Sequence, residues 1–219
     1  MRILEIQKSV YENNDREADK LRAELSAQGK FLINLMSSPG AGKTTSILRI
    51  IEGMPDKYKI GVMEADIDSA VDAEIVAAAG ALCVQLHTGG MCHLDAGMTR
   101  QGIEAPEMAD CNFIVLENVG NLVCPAEFDT GAHLNAMILS VPEGDDKPLK
   151  YPLMFEVCDL LIINKIDAVS LFDFDFKAVR EHTLKRNPDM VIFEISAKTG
   201  QGIDAICEWL DSKCGNIIL

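Results

Sequence analysis

The sequence predicts an α/β fold in three layers: a mainly parallel sheet with helices on both faces, and one further helix at the N-terminus. Two observations predict it. Seven short apolar runs, FLINLM (31–36), KIGVM (59–63), LCVQL (82–86), NFIVLE (112–117), AMILSV (136–141), DLLIIN (159–164) and MVIFEI (190–195), are continuous rather than alternating. Strands buried on both faces read this way. Between most of them lie helical patterns, at about 44–53, 69–79, 93–105, 151–157, 174–186 and 203–213. Strand–helix–strand repetition implies parallel pairing wrapped by helices.

The chain starts with a helix. Ile6, Val10, Ala18, Leu21 and Leu25 recur at helical spacing over 5–28, and Gly29 is a C′ terminator. This amphipathic helix is expected to lie on the outside of the sheet. A length of 219 residues suits one domain, and 48% hydrophobic residues exclude a largely disordered chain. The expected division is an N-terminal helix over 1–29 docked on a single domain over 30–219. Net charge is −14, from 34 acidic and 20 basic residues, which argues against nucleic-acid and anionic-membrane partners. MRILEIQKSVYENNDREADK is too charged for a secretory signal, and no run reaches the roughly 18 apolar residues of a membrane span. A cytoplasmic protein is expected, and in that compartment the seven cysteines are thiols. Polar, Gly- and Pro-bearing loops at 86–95, 118–133 and 142–152 are where function should sit.

SSPGAGKTT (37–45) follows the first strand and opens a helix. In this P-loop pattern the stretch Pro39, Gly40, Ala41, Gly42, Lys43, Thr44 and Thr45 cradles phosphate. Backbone amides face the anion, Lys43 reaches the β/γ-phosphates, and the Thr44 hydroxyl binds Mg²⁺. Ser37 stands where the general pattern has glycine. Asp66 and Glu117, at carboxyl ends of strands, are the acidic candidates for Mg²⁺ and for the attacking water, with Glu64 and Asp68 as alternatives to Asp66. Gly120, in the following Asn118-Val119-Gly120, is placed to sense the γ-phosphate. The fold class is thus the three-layer P-loop NTPase fold.

Asn164-Lys165-Ile166-Asp167 ends the strand DLLIIN. The Asp167 carboxylate can accept from N1–H and the 2-amino group of guanine, and adenine offers neither donor. Lys165 would lie along the ring and the P-loop, and Ser196-Ala197-Lys198 supplies a backbone amide for guanine O6. The three motifs together select GTP over ATP.

Nucleotide chemistry leaves Cys92-His93 and Cys124 unexplained. Thiolate and imidazole are ligands for Ni²⁺ and Zn²⁺. Asp95 could orient His93, and His133 is a distant further candidate. Three ligands leave a fourth position for water or for a second copy across a two-fold axis. The competing reading is that these are small buried thiols and a hydrogen-bonded loop histidine. That reading is favoured for Cys83, Cys111, Cys158, Cys207 and Cys214, which lie in or beside apolar runs; Cys207 shares a helix face with Ile203, Ile206 and Leu210.

SSPGAGKTT, MCHLDA, ENVGNLVCPAEFDTGAH, EGDDKPLKYP and INKID together resemble the HypB family, the nickel-incorporation GTPases of hydrogenase maturation. The likeness runs over about residues 30 to 200, and ENVGNLVCP is its most specific segment. It implies a SIMIBI-class GTPase that dimerises under GTP control, with Cys92, His93 and Cys124 binding nickel or zinc at or near the dimer interface. It implies nickel transfer to a hydrogenase large subunit with a small partner chaperone. Many bacterial relatives carry an N-terminal cysteine motif or a histidine-rich stretch. Neither is present here, so no high-affinity nickel store is expected. EGDDKPLK resembles the family but does not decide between Lys147 and Lys150 as a nucleotide contact.

The mechanism expected is a slow switch. No glutamine or arginine finger is evident, and the loop from Glu117 through Gly120 reaches Cys124 seven residues on, which would couple phosphate sensing to a metal ligand. Other readings are a GTPase chaperone for a urease- or cobalamin-type client, a metal-binding scaffold with structural nucleotide, and a small-molecule kinase, which NKID opposes.

Overall fold

The computed structural model describes residues 6–66, 76–77 and 79–218, without the side chains of 6–9 and 66. Asp68 and most of the helix expected at 69–79 lie outside the described residues.

In chain order the elements are α1 (Ile6–Ala27), β1 (Phe31–Ser37), α2 (Lys43–Gly53), β2 (Ile60–Asp66), β3 (Leu82–His87), α3 (Ala96–Ile103), β4 (Phe113–Glu117), α4 (Cys124–Glu127) and β5 (Leu134–Ser140). They continue as α5 (Lys147–Lys150), α6 (Pro152–Val157), β6 (Leu160–Asn164), α7 (Phe176–Arg186), β7 (Val191–Glu194) and α8 (Ile203–Cys214), with short 3₁₀ turns between some of them. All seven expected strands form. They build one sheet in the order β3-β2-β4-β1-β5-β6-β7, and every pair is parallel.

Strand β1 shows why the runs are continuous. All seven of its residues are buried. Ile33 and Leu35 face one core with Ile47 and Ile50 of α2 and Ile206 and Leu210 of α8. Leu32 faces the opposite side with Leu21 and Leu25 of α1, while Met36 meets Met154 and Phe155 of α6. Each such aliphatic or aromatic side chain contributes about 1.5–3 kcal/mol by leaving water. The N-terminal helix packs through Leu21 and Leu25 on the Leu32 side of the sheet. Its polar side is pinned by Arg100 Nη1 to Glu24 at 2.6 Å and by Arg22 to both Asp129 carboxylate oxygens at 2.7 and 2.6 Å.

Two elements were not legible as helices, α4 and α5, which the sequence reads as loop. Each has four residues and carries a proline in its first turn. Proline at that position is already set for a helix, but one turn shows no period.

From β1 the chain runs to β2 on one side of the sheet and, after β4, to β5 on the other. The carboxyl ends of the strands around this reversal form the crevice in which open α/β sheets bind ligands.

Candidate nucleotide and metal sites

The crevice holds a cleft of ≈ 690 Å³ between the P-loop, β2 and the loop after β4. That volume suits a nucleotide-sized ligand. Helix α2 begins at Lys43 with Gly42 as its cap residue, and no side chain caps it. Its first amides are therefore available to an anion. Gly42 is required twice over. Its φ is +96°, and a Cβ there would sit 2.5 Å from Asn164 Nδ2. Pro39, Gly40, Lys43, Thr44 and Thr45 line the same cleft. Lys43 Nζ lies 3.1 Å from Ser37 Oγ and 3.9 Å from Glu117 Oε1. Ser37, the departure from the general pattern, is thus a hydroxyl that accepts from the P-loop ammonium.

Glu117 is buried and lines the cleft, and Glu64 stands beside it in register between β2 and β4, buried likewise. The Asp66 backbone ends β2 two residues further on, and its side chain lies outside the described residues. Gly120 meets the P-loop directly: a Cβ there would come 3.2 Å from Pro39 Cγ.

The base end is organised by one buried amide. Asn164 Nδ2 donates to Ala41 O at 2.9 Å, and its Oδ1 accepts from Lys165 N at 2.7 Å and Ala197 N at 3.0 Å. Lys165 has the only positive φ, +63°, among the described non-glycine residues, and its Nζ donates to Gly40 O at 2.6 Å. Left-handed backbone on a lysine is costly and persists only where contacts fix it. Ser196 Oγ donates to Asp167 Oδ1 at 2.6 Å, which holds the carboxylate of this exposed residue in place. Ser196 N donates to Gln201 O at 3.0 Å and Ala197 N to Asn164, so of the Ser196-Ala197-Lys198 amides that of Lys198 is the one left as a candidate for a base. Sequence reasoning missed Arg49 of α2, whose Nε donates to Ala197 O at 2.9 Å and braces this loop. Its signal, one arginine on an amphipathic helix, has no pattern to find.

The metal constellation is brought together only in part. The neighbouring Cys124 thiol, then burial, pushes the Cys92 thiol above its ordinary range, and the Glu127 carboxylate adds to the effect. His93 does not join them. Its ring stacks on Phe128 at 3.9 Å between centroids and 10° between planes, and its Nδ1 is buried without a partner. Among the described residues no three His, Cys, Asp or Glu side chains converge to hold a metal ion. The expected trio is therefore a pair of thiols plus a histidine held aside by an aromatic face. Thiol and imidazole remain donor types suited to Ni²⁺ or Zn²⁺.

Two minor expectations are corrected. Asp95 does not orient His93, because its Oδ1 caps α3 by accepting from Met98 N at 2.8 Å. His133 belongs to no site: Leu32 N donates to its Nδ1 at 3.0 Å, Nε2 meets Ser26 Oγ at 2.9 Å, and its ring stacks on Phe31. Burial, the largest cause, lowers its pKa below 6.5. A depressed pKa contributes stability that is full above the unfolded value and is lost as pH falls through the folded one. His133→Gln, which keeps an acceptor for Leu32 N, is therefore expected to flatten the loss of thermal stability between pH 7 and pH 5. Melting curves of both proteins across that range check it, and an unchanged slope counts against the assignment.

The remaining thiols are structural as expected. Cys111, Cys158, Cys207 and Cys214 are buried, and Cys83 is half-buried in the edge strand β3. Burial pushes Cys83 and Cys214 up to about 12 and Cys207 to about 11, and raises Cys111 and Cys158. Neither lysine of EGDDKPLK lines the cleft. Lys150 pairs with Asp146 at 2.5 Å, and Lys147 lies over the Tyr151 ring.

The chain is similar to known proteins over most of its length. The family model described as "CobW/HypB/UreG, nucleotide-binding domain" matches residues 31–194. The hydrogenase maturation factor HypB of Rhizobium leguminosarum bv. viciae is 42% identical over 212 residues, 96% of this chain and 70% of that protein. The hydrogenase/urease maturation factor HypB of Helicobacter pylori is 37% identical over 218 residues, 96% of this chain and 88% of that protein. The crystal structure of HypB from Helicobacter pylori in complex with nickel superposes with a TM-score of 0.87 at 36% identity, covering 94% of this chain and 98% of that one.

Proposed function

Since the chain belongs to the HypB hydrogenase maturation factors, P-loop GTPases of the CobW/HypB/UreG family, we propose that it is a GTP-hydrolysing nickel metallochaperone. It delivers Ni²⁺ to a hydrogenase large subunit together with a small maturation chaperone, and GTP-dependent homodimerisation controls the transfer. The observation that carries this reading is that Cys124 lies on the stretch running from the cleft-lining Glu117 and Gly120, and that Asn121 of the same stretch donates through Nδ2 to Cys92 O at 3.5 Å.

In this reading α2's amides and Lys43 bind the β/γ-phosphates, and Asn164, Lys165 and Asp167 hold guanine. Glu117 orients the attacking water. Thr44, Asp66 and Glu117 would hold Mg²⁺, which supplies charge neutralisation on the phosphates. Gly120, set against Pro39, senses the γ-phosphate, and its movement is passed along the loop to Cys124. Hydrolysis is slow, in keeping with a switch. Nickel is cargo, held by Cys92 and Cys124 with His93 or a residue of the second copy completing the set. That incomplete set within one chain favours release over storage. Soluble, cytoplasmic operation agrees with the finding that no described helix is long and apolar enough to cross a membrane. A urease-type client is the second reading, favoured by the name of the Helicobacter pylori relative.

The test is nickel and zinc binding by the purified protein with GDP and with a non-hydrolysable GTP analogue, beside the Cys92→Ala, Cys124→Ala double variant. Expected are about one metal per chain, an affinity that changes several-fold with nucleotide, and no binding by the variant. Binding that survives in the variant would remove the metal role from this pair.

A further inference from the structure

The segments that carry Cys92 and Cys124 leave the sheet at different places. One follows β3 at the sheet edge, the other follows β4, and β2 lies between those strands. The sheet therefore does not by itself fix how far apart the two thiols stand. A single side chain of α1 reaches both segments. Asn14 Nδ2 donates to Asp129 O at 2.9 Å, on the Cys124 side, and Asn14 Oδ1 accepts from Ala96 N at 3.0 Å, on the Cys92 side. Both ends of the amide are used, which fixes its orientation. Its neighbours on α1 add to the tie. The Tyr11 hydroxyl donates to Glu127 Oε2 at 3.2 Å, and the Tyr11 ring lies 5.1 Å from that of Phe128, on which His93 stacks.

We propose that Asn14 is a positioning residue for metal capture: it ties the Cys92 segment to the Cys124 segment across α1 and so sets the thiol pair before the ion arrives. The proposal rests on the reading of Cys92 and Cys124 as metal ligands. Its physical basis is preorganisation. Two ligands on separate loops must be ordered before they act together, and a brace that orders them in advance raises affinity without touching the ion.

The test uses the full chain with Asn14→Leu, which keeps the side chain's bulk and removes both hydrogen bonds. Nickel(II) chloride titration, followed by thiolate-to-metal charge-transfer absorbance, is expected to show affinity weakened by about tenfold, the loss of two modest hydrogen bonds. GDP affinity should stay within twofold. A metal-free readout runs beside it: the Cys92–Cys124 disulfide equilibrium in reduced and oxidised glutathione, with the pair identified by peptide mapping. The effective concentration of one thiol at the other is expected to fall by a similar factor. Should Asn14→Leu not fold, Asn14→Asp keeps the acceptor for Ala96 N, loses the donor to Asp129 O, and should show a smaller loss in the same two measurements. An unchanged glutathione equilibrium in a folded variant overturns the brace. If wild type binds no nickel, the metal reading falls, while the glutathione equilibrium still decides whether α1 positions the thiols.

Discussion

Replacing Asn164 by alanine is expected to weaken GDP and GTP binding by about a hundredfold and to lower thermal stability as well. The reason is positional. One buried amide joins the P-loop through Ala41 O, the base-reading turn through Lys165 N and the last loop through Ala197 N. Alanine leaves the partners without it, and each buried unsatisfied group costs about 1–3 kcal/mol. Part of that loss appears as stability. The rest appears as binding, because Gly42, Lys165 and the Ser196 loop no longer hold their mutual geometry. Isothermal titration with GDP and a melting curve separate the two shares. An affinity within threefold of wild type would mean that the three loops are set by other contacts, Arg49 and Lys165 first among them.

Glu117→Gln is expected to slow single-turnover GTP hydrolysis by about 10² to 10⁴, the range for loss of a positioned general base, while GTP binds within a few-fold of wild type. Glutamine preserves the shape of a side chain that is only 6% exposed and keeps a polar oxygen toward Lys43. What it removes is the carboxylate charge that would accept a proton and orient water. A rate within threefold of wild type would transfer the role to Glu64, its neighbour in register on β2, and Glu64→Gln would then be measured the same way. No hydrolysis in wild type itself would favour the scaffold reading, in which nucleotide is structural.

Most of the nucleotide site was legible because its chemistry is local in sequence. A phosphate cradle needs consecutive amides at a helix start, so Gly40 to Thr44 announce themselves, and the base-reading turn must end a strand, as Asn164 does. Both follow from backbone geometry that a few adjacent residues dictate. The metal constellation was legible as a set of residue types and not as an arrangement. Nothing in MCHLDA and CPAEFD says that His93 turns to the Phe128 face, or that Asp95 is committed to capping α3. The roles of Asn14, Arg49 and Asn164 as ties were equally hidden. Each acts across long sequence separations, 82 and 115 residues for Asn14, and carries no periodicity.

The sequence by itself determined that seven short apolar strands alternate with helices, and it singled out a phosphate-cradle motif after the first, a base-reading motif after the sixth and soft ligands on two loops. These are properties of composition, period and short motifs, fixed by local sterics and by the solvent each residue prefers. Only the tertiary structure decided the strand order, which inserts β4 between β1 and β2 and so sets Glu117 beside Lys43 and Glu64. It alone decided that α1 lies against both thiol-bearing segments. Such placements arise from how whole faces bury against one another, a sum over many weak contacts that no short stretch of chain contains.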